Sequence, residues 1–308
     1  MSAIDWLLAS KEPGVVFQAK RDLHGEQDSP EVARVLEGPL VRRLLAGQQA
    51  DGGFGVNVYG KWGGAHWRLV SLVELGVPAG EPRCVAAAET VLSWLTGKSH
   101  RAAVKAINGL VRRCGSQEGN ALAVCCRLGL ARDPRVQLLA DSLVEWQWPD
   151  GGWNCDKKAT GYRSSFNESL PPMWGLHEYW LATGETDARD AARRTAELFL
   201  EHRLFRALAT GEPIRESFVT LHYPPYWHYD VLQALVVLAR MGLAGDPRAQ
   251  DGVELVESRR LPDGRWRAGG RWWKPPGSKG ANVDVVDWGS GPNEMVTLNA
   301  LRVLHAAK

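Results

Sequence analysis

Apolar residues in this chain recur every three or four positions along most of its length and almost never alternate with polar ones, so helices are expected and strands are not. Two kinds of helical segment take turns. Longer ones are expected at 13–23, 62–75, 118–130, 171–182, 224–241 and 293–306, and between them others at 30–46, 82–95, 134–147, 187–205 and 247–259. Proline opens several of them, which suits a first helical turn whose N–H needs no partner. The first set reads as an inner ring and the second as an outer ring. Six inner segments face five outer ones, so residues 2–9 are expected to supply the sixth outer helix by packing beside the C-terminal helix and closing the ring.

An internal repeat supports this reading. Trp146-Gln147-Trp148-Pro149-Asp150-Gly151-Gly152-Trp153 returns in reduced form as Gln48-Gln49-Ala50-Asp51-Gly52-Gly53-Phe54 and more weakly as Arg260-Leu261-Pro262-Asp263-Gly264-Arg265-Trp266. Gln48, Gln147 and Arg260 lie 99 and 113 residues apart (147 − 48 and 260 − 147), each about twice a ~50-residue helical hairpin. Pro171-Pro172-Met173-Trp174 and Pro224-Pro225-Tyr226-Trp227 echo one another at 53 residues (224 − 171), and both are expected to open inner helices. Short connections at 76–81, 130–134, 183–187 and 242–246 alternate with long ones at 49–61, 97–117, 148–170, 204–223 and 261–291. In a barrel of hairpins the long ones share a rim, and such loops usually carry function.

Segments ending in Leu-x3-Gln and followed by Asp-Gly-Gly-aromatic, at 44–54 and 143–153, resemble the Gln-Trp repeats of squalene cyclases and protein prenyltransferase β-subunits. The resemblance covers nearly the whole chain. It implies an all-α fold, an α/α toroid (a six-hairpin α/α barrel) around an apolar cavity, built as a single domain over residues 1–308. The motif itself reads as structural: Gln bonds carbonyls at the helix end, paired glycines allow a turn with positive φ, and the aromatic packs across hairpins. The catalytic strings of these families do not occur. There is no Asp-x-Asp-Asp for protonating a polyene, and Asp284-Val285-Val286-Asp287 has a different spacing; no Asp-Asp-x-x-Asp is present to hold magnesium. Asn154-Cys155-Asp156 sets Cys and Asp in the reverse order of the prenyltransferase zinc pair, so Cys155 reads as an ordinary thiol. No metal and no cofactor are expected.

Composition narrows the partners. A net charge of +2 and a pI near 8.3 give no reason to expect nucleic acid. No run of ~18 apolar residues offers a transmembrane segment, and the start Met1-Ser2-Ala3-Ile4-Asp5-Trp6 does not read as a leader, so a cytoplasmic location is expected. Five cysteines without a Cys-x-x-Cys pair suit reduced thiols. Charge is uneven, however: the five long connections hold 16 Lys and Arg against 9 Asp and Glu, a surplus of +7 in a chain of +2. With inner-helix N-termini at the same rim, an anionic group such as a diphosphate would be attracted there. The bland alternative puts Arg101, Lys105, Arg112 and Arg113 on the solvated face of an extra helix.

Candidates for chemistry are polar residues at the starts of inner segments: His66, Glu118, Asn120, Asn167, Glu168, His228, Asp230, Asn293 and Glu294. Singly, each reads as a cap or a solvated side chain. Their recurrence at one end of several helices argues for a shared site. Asp230, four residues from Tyr226 and so on the same helical face, would have a raised pKa if buried and could serve as an acid. Proton transfer is therefore expected from Asp230, Glu168 and His66. Trp62, Tyr226, Trp227 and Trp288 are expected to form an aromatic wall, and Glu118, Asn120, Asn167 and His228 to contact substrate. The loop 261–291, with Trp266, Trp272, Trp273 and Trp288, either covers the cavity or simply docks on the rim.

These expectations combine into a terpenoid cyclase- or prenyltransferase-like enzyme that takes a small, largely apolar, isoprenoid-like substrate and works by metal-independent acid–base chemistry. One rival is a carbohydrate-active α/α-barrel hydrolase or lyase, since 14 tryptophans also suit sugar faces. Another is a non-catalytic ligand-binding or scaffold toroid, which a cavity filled by bulky side chains would favour.

Overall fold

A computed structural model describes residues 1–26 and 30–308. Its regular structure is almost entirely helical. The chain begins with α1 (Ala3–Leu8), α2 (Pro13–His24), α3 (Glu31–Arg34) and α4 (Pro39–Leu45), and continues with α5 (Ala65–Glu74), α6 (Pro82–Thr96) and α7 (Lys98–Ala102). A small antiparallel ribbon, β1 (Lys105–Ile107) and β2 (Leu110–Arg112), pairs Ala106 with Val111. Then come α8 (Gly115–Arg127), α9 (Pro134–Trp146), α10 (Phe166–Thr183), α11 (Thr186–Glu201), α12 (Glu216–Val219), α13 (Val231–Arg240), α14 (Gln250–Ser258) and α15 (Glu294–Ala306). No helix of the described residues is long and apolar enough to cross a membrane.

The helices fall into two kinds by burial. Every residue of α5 is buried, as is α13 from Val231 to Leu238. By contrast, α11 buries Ala188, Ala191, Ala192, Thr195, Ala196 and Phe199, one face at helical spacing, while Arg193, Arg194 and Glu197 stay exposed. Packing follows the same division. Helix α5 contacts α6 and α8; α8 contacts α9 and α10; α10 contacts α11 and α13; α13 contacts α14 and α15; and α15 contacts α2 and α1. Helices α2 and α5 meet where Gln18 Nε2 donates to the Glu74 carbonyl at 3.0 Å. Helices α8 and α10 touch backbone to backbone: a Cβ added at Gly119 would collide with the Pro172 backbone and one at Gly175 with the Gly119 carbonyl.

Near their C-terminal ends, α2, α5, α8, α10, α13 and α15 each contribute one charged side chain to a shared network: Asp22, Glu74, Arg127, Glu178, Arg240 and Arg302. Arg127 reaches Glu178 at 3.1 Å and Glu74 at 3.5 Å, and Arg240 reaches Glu74 at 3.1 Å. Arg302 binds Asp22 at 2.7 Å and Gln18 at 2.7 Å. Burial alone would push the Glu74 carboxyl up, but Arg240 and Arg127 outweigh it and hold it below the usual carboxylate range.

Repeat turns connect neighbouring amphipathic helices. Gln147 Nε2 donates to the Gly151 carbonyl of its own turn (2.9 Å) and to Ala191 of α11 (2.9 Å), while Arg194 holds its Oε1 (2.7 Å). Gln48 does the same with Gly52 (3.0 Å) and Arg83 of α6 (2.8 Å). Gly52 and Gly151 take positive φ of 85° and 92° there, pressed against the backbone of Ala86 and Arg194 respectively.

Three sequence expectations need correction. Helix α10 starts at Phe166, so Pro171 and Pro172 lie inside it rather than at its opening. Helix α13 starts at Val231, and residues 224–230 form an irregular segment in which Tyr226 has φ +53°; Tyr226 and Asp230 therefore do not share a helical face. Nor do Arg112 and Arg113 lie on a solvated helix: Arg112 is buried, with its guanidinium 4.5 Å from the Trp148 ring, and Arg113 pairs with Glu118 at 3.1 Å.

Candidate functional site

The long connections meet one another. Trp62 donates its indole N–H to Trp272 O (3.1 Å), Gly269 N to Leu221 O (2.7 Å), Arg113 N to Asn154 O (3.2 Å), and Trp148 Nε1 to Val111 O (2.8 Å). Two clusters of chemically capable side chains form among these segments.

The first borders a central cavity of about 40 Å³ between α5, α8, α10 and α13. Val70, Leu170, Trp174 and Val236 give it apolar walls, Asn120, Gln233, Tyr226 and His228 supply polar groups, and Glu74 and Arg240 line it as well. Tyr226 is held in its left-handed conformation by contacts at one ring face, at its carbonyl and at its hydroxyl. Its ring stacks on Trp62 at 4.1 Å and 7°, its carbonyl accepts from Asn120 Nδ2 at 3.1 Å, and its hydroxyl donates to Asp284. Asp284 also accepts from Trp288 Nε1 (2.9 Å), Val285 N (2.6 Å) and Val286 N (3.2 Å). Burial nonetheless pushes its carboxyl up against those hydrogen bonds. Thus Trp62, Tyr226 and Trp288 of the expected wall come together beside Asp284.

His228 lies between two indoles, 3.9 Å from Trp272 at 9° and 4.2 Å from Trp227 at 27°. Burial lowers its pKa to about 3, so the imidazole is neutral at ordinary pH. Its Nδ1 and the indole N–H groups of Trp227 and Trp272 have no hydrogen-bond partner among the described residues. Asp230 has a different occupation. It caps α13 by accepting from Gln233 N (3.0 Å), and its other oxygen accepts from His222 N (2.8 Å) with His222 Nδ1 at 3.3 Å. Asn167 likewise holds backbone, with Oδ1 accepting from Tyr229 N at 2.7 Å. Asn293 caps α15 through Val296 N at 3.0 Å. Glu294, next along, has its carboxyl pushed up by burial.

The second cluster joins the N-terminal ends of α8 and α10. Glu168, 6% exposed, accepts from Ser116 N at 3.1 Å, and Cys155 Sγ stands 3.8 Å from its Oε1. Cys114, at the N-cap of α8, completes a group whose ligand atoms all lie within 4.8 Å of one another. Burial pushes the Glu168 carboxyl up. Beside it, Glu118 accepts from Arg113 at 3.1 Å and contacts His100 at 2.9 Å, leaving Oε2 without a partner among the described residues. His66 is buried against Tyr59 (5.2 Å) and Trp67 (4.6 Å) with neither ring nitrogen partnered among the described residues, and burial lowers it to about 3. It lines the packed space between α5, α6 and α8 rather than the central cavity.

Sequence reasoning missed Asp284, His222 and Cys114. For Asp284 a signal existed: Val283, Val285 and Val286 surround it in a polar loop, and apolar flanks argue for burial. Cys114 and Cys155 are 41 residues apart (155 − 114) with no spacing motif to pair them. The loop 261–291 is held against the 204–223 connection, with Trp273 Nε1 donating to Tyr223 O at 3.0 Å, and its Trp272 stacks on His228. Neither a family model nor a curated protein matches the chain.

Proposed function

We propose that this chain is an α/α toroid of the squalene cyclase and prenyltransferase kind, one domain over residues 1–308, that takes a small, largely apolar ligand with one polar end into its central cavity. The succession of packed helix pairs supports the ring, as does the network to which six helices each give one charged group. The ligand reading is carried by one observation: an apolar cavity bordered by a neutral His228 whose Nδ1 is unpartnered among the described residues. Such an imidazole suits a hydroxyl or other polar end, while Val70, Leu170 and Val236 suit a hydrocarbon.

Size sets a condition on this reading. About 40 Å³ is far below the ~300–1,000 Å³ of ordinary ligand pockets, so an isoprenoid is admitted only when the Trp272 cover and segment 261–291 shift. For proton transfer, Asp284 is a better candidate than Asp230, because it meets Tyr226 and Trp288 beside the cavity while Asp230 serves as a cap.

Mass spectrometry of small molecules extracted from gently purified protein is the direct test. A copurified isoprenoid or similar lipid, or quenching of tryptophan fluorescence by farnesol that Trp272→Ala alters, is expected. Protein that carries no lipid and does not respond to farnesol or geranylgeraniol would sink the proposal. That outcome would leave a non-catalytic scaffold toroid, the reading that the narrow cavity favours next.

A further inference from the structure

Three segments far apart in the chain bring a soft-metal donor set to one point. Cys114 precedes the first turn of α8, Cys155 follows Trp153 of the repeat turn, and Glu168 stands in the first turn of α10. In a tetrahedral zinc site with Zn–S of about 2.3 Å and Zn–O of about 2.0–2.2 Å, neighbouring ligand atoms stand roughly 3.5–3.8 Å apart. Cys155 Sγ and Glu168 Oε1 are 3.8 Å apart already, and all three ligand atoms fall within 4.8 Å of one another. Closing the set around an ion therefore takes shifts of about 1 Å or less.

The donors are also held from behind. Ser116 N fixes Glu168 Oε2 at 3.1 Å, which leaves Oε1 directed to the thiol. Asn154, next to Cys155, is anchored by Arg113 N on its carbonyl (3.2 Å) and by its own Nδ2 on Arg163 O (2.9 Å). Supporting hydrogen bonds of this kind orient ligands in metal sites. Both thiols are only partly buried, so an ion can reach them, whereas Glu168 is 6% exposed and would gain most from a cation. No second group of this composition occurs among the described residues.

We infer that Cys114, Cys155 and Glu168 bind one thiophilic divalent cation of the zinc type, with the fourth position left to water or to a ligand atom. Binding exchanges the two thiol protons to solvent as two S–metal bonds form, while the carboxylate enters ionised, so affinity increases with pH. Three protein ligands with one open position is the arrangement in which zinc polarises a bound molecule rather than only bracing the fold. The inference does not rest on the apolar ligand proposed above, and its readout is separate from that of the lipid test.

Cobalt is the probe. The full chain, reduced and stripped with chelator, is expected to take up one equivalent of Co²⁺ with a thiolate-to-cobalt charge-transfer band and tetrahedral d–d absorption, both bleached by one equivalent of Zn²⁺. Cys155→Ser and Cys114→Ser should each reduce the charge-transfer band to half or less, and Glu168→Gln should keep the band while weakening cobalt binding at least ~10-fold. Reduced wild-type protein that shows no charge-transfer band would overturn the inference, whatever the variants do. So would a band unchanged by Cys155→Ser, or metal-free protein in which Cys114 and Cys155 are recovered as a disulfide that reduction does not convert to a cobalt-binding form.

Discussion

Arg68 lies with its guanidinium 4.0 Å from the centre of the Phe54 ring and donates past it to the Leu44 carbonyl at 2.9 Å. In the other two repeats an indole makes that hydrogen bond itself: Trp153 Nε1 donates to Leu143 O at 3.0 Å and Trp266 Nε1 to Val256 O at 2.7 Å. The acceptor stands ten residues before the aromatic in all three (54 − 44, 153 − 143, 266 − 256). A helix end leaves carbonyls unpaired, and the first repeat, having Phe in place of Trp, satisfies them with a borrowed arginine that also reaches Ala46 O at 3.0 Å.

This substitution of roles is testable. Arg68→Met should destabilise the protein by about 1–3 kcal/mol, the cost of leaving buried carbonyls unpaired. Phe54→Trp in the Arg68→Met background should recover part of the loss, because the new indole has the geometry that Trp153 and Trp266 use. In the wild-type background the same change crowds Arg68 and should not help. A double-mutant cycle by urea denaturation measures the coupling, and simple additivity of the two changes would refute the exchange.

The repeat was legible because its residues are local, and what it bonds was not. Gln147 and Gly151 are four residues apart, but Ala191 and Arg194 enter from the next amphipathic helix. The succession of helices was legible for the same reason, since the 3.6-residue apolar period is local. Helix starts at prolines misled twice. At α10 the first-turn rule gave way to interior prolines, which pack where Gly119 of α8 presents bare backbone. At α13 the better signal was Asp230, a cap residue directly before an unbroken apolar run. Cys114 stands dozens of positions from Cys155 and Glu168, as Tyr226 does from Asp284, and no local pattern encodes their meeting.

Glu12 should make stability fall as pH rises. The residue is 3% exposed, its Oε1 accepts from Leu40 N, and its Oε2 has no partner among the described residues. Burial, with some repulsion from Glu294, pushes it up to about 7 from an ordinary 4.5. A raised carboxyl pKa means that the stability contributed by the protonated form is complete below about 4.5 and is lost as pH climbs through 7. Glu12→Gln keeps an acceptor for Leu40 and removes the charge. It should therefore gain on the order of 1–3 kcal/mol over wild type at pH 8 and little at pH 5. Unfolding curves with the same pH slope in both proteins would rule this out.

Gly119 should tolerate no side chain. Helices α8 and α10 touch there backbone to backbone, and a Cβ would meet the Pro172 nitrogen, which cannot give way as a flexible side chain would. Gly119→Ala should cost at least about 1–3 kcal/mol through overpacking, despite the better helix propensity of alanine. The control is Gly184→Ala at the C-cap of α10, where nothing lies within 4 Å and only the positive φ of 83° resists. Thermal unfolding that ranks Gly184→Ala as the more damaging of the two would show that the helices separate more easily than their contact implies.

Glu74 should govern the acid limit of stability. It accepts from Arg240 at 3.1 Å and stands 3.5 Å from Arg127, and its side chain is 8% exposed. Replacement by Gln leaves two guanidinium groups facing each other with one anion, Glu178, between them. Because Arg240 and Arg127 keep 22% and 25% exposure, the loss should be about 3 kcal/mol, the low end for a broken buried pair. The pH dependence has the opposite sign to that of Glu12. Here the folded carboxyl is held below its ordinary 4.5, so its contribution is present above that value and is lost as pH falls through the lowered folded value. Between pH 6 and pH 3 the advantage of wild type over Glu74→Gln should therefore narrow. A gap that stays the same across that range would mean that the carboxylate is not what holds Arg127 and Arg240 together.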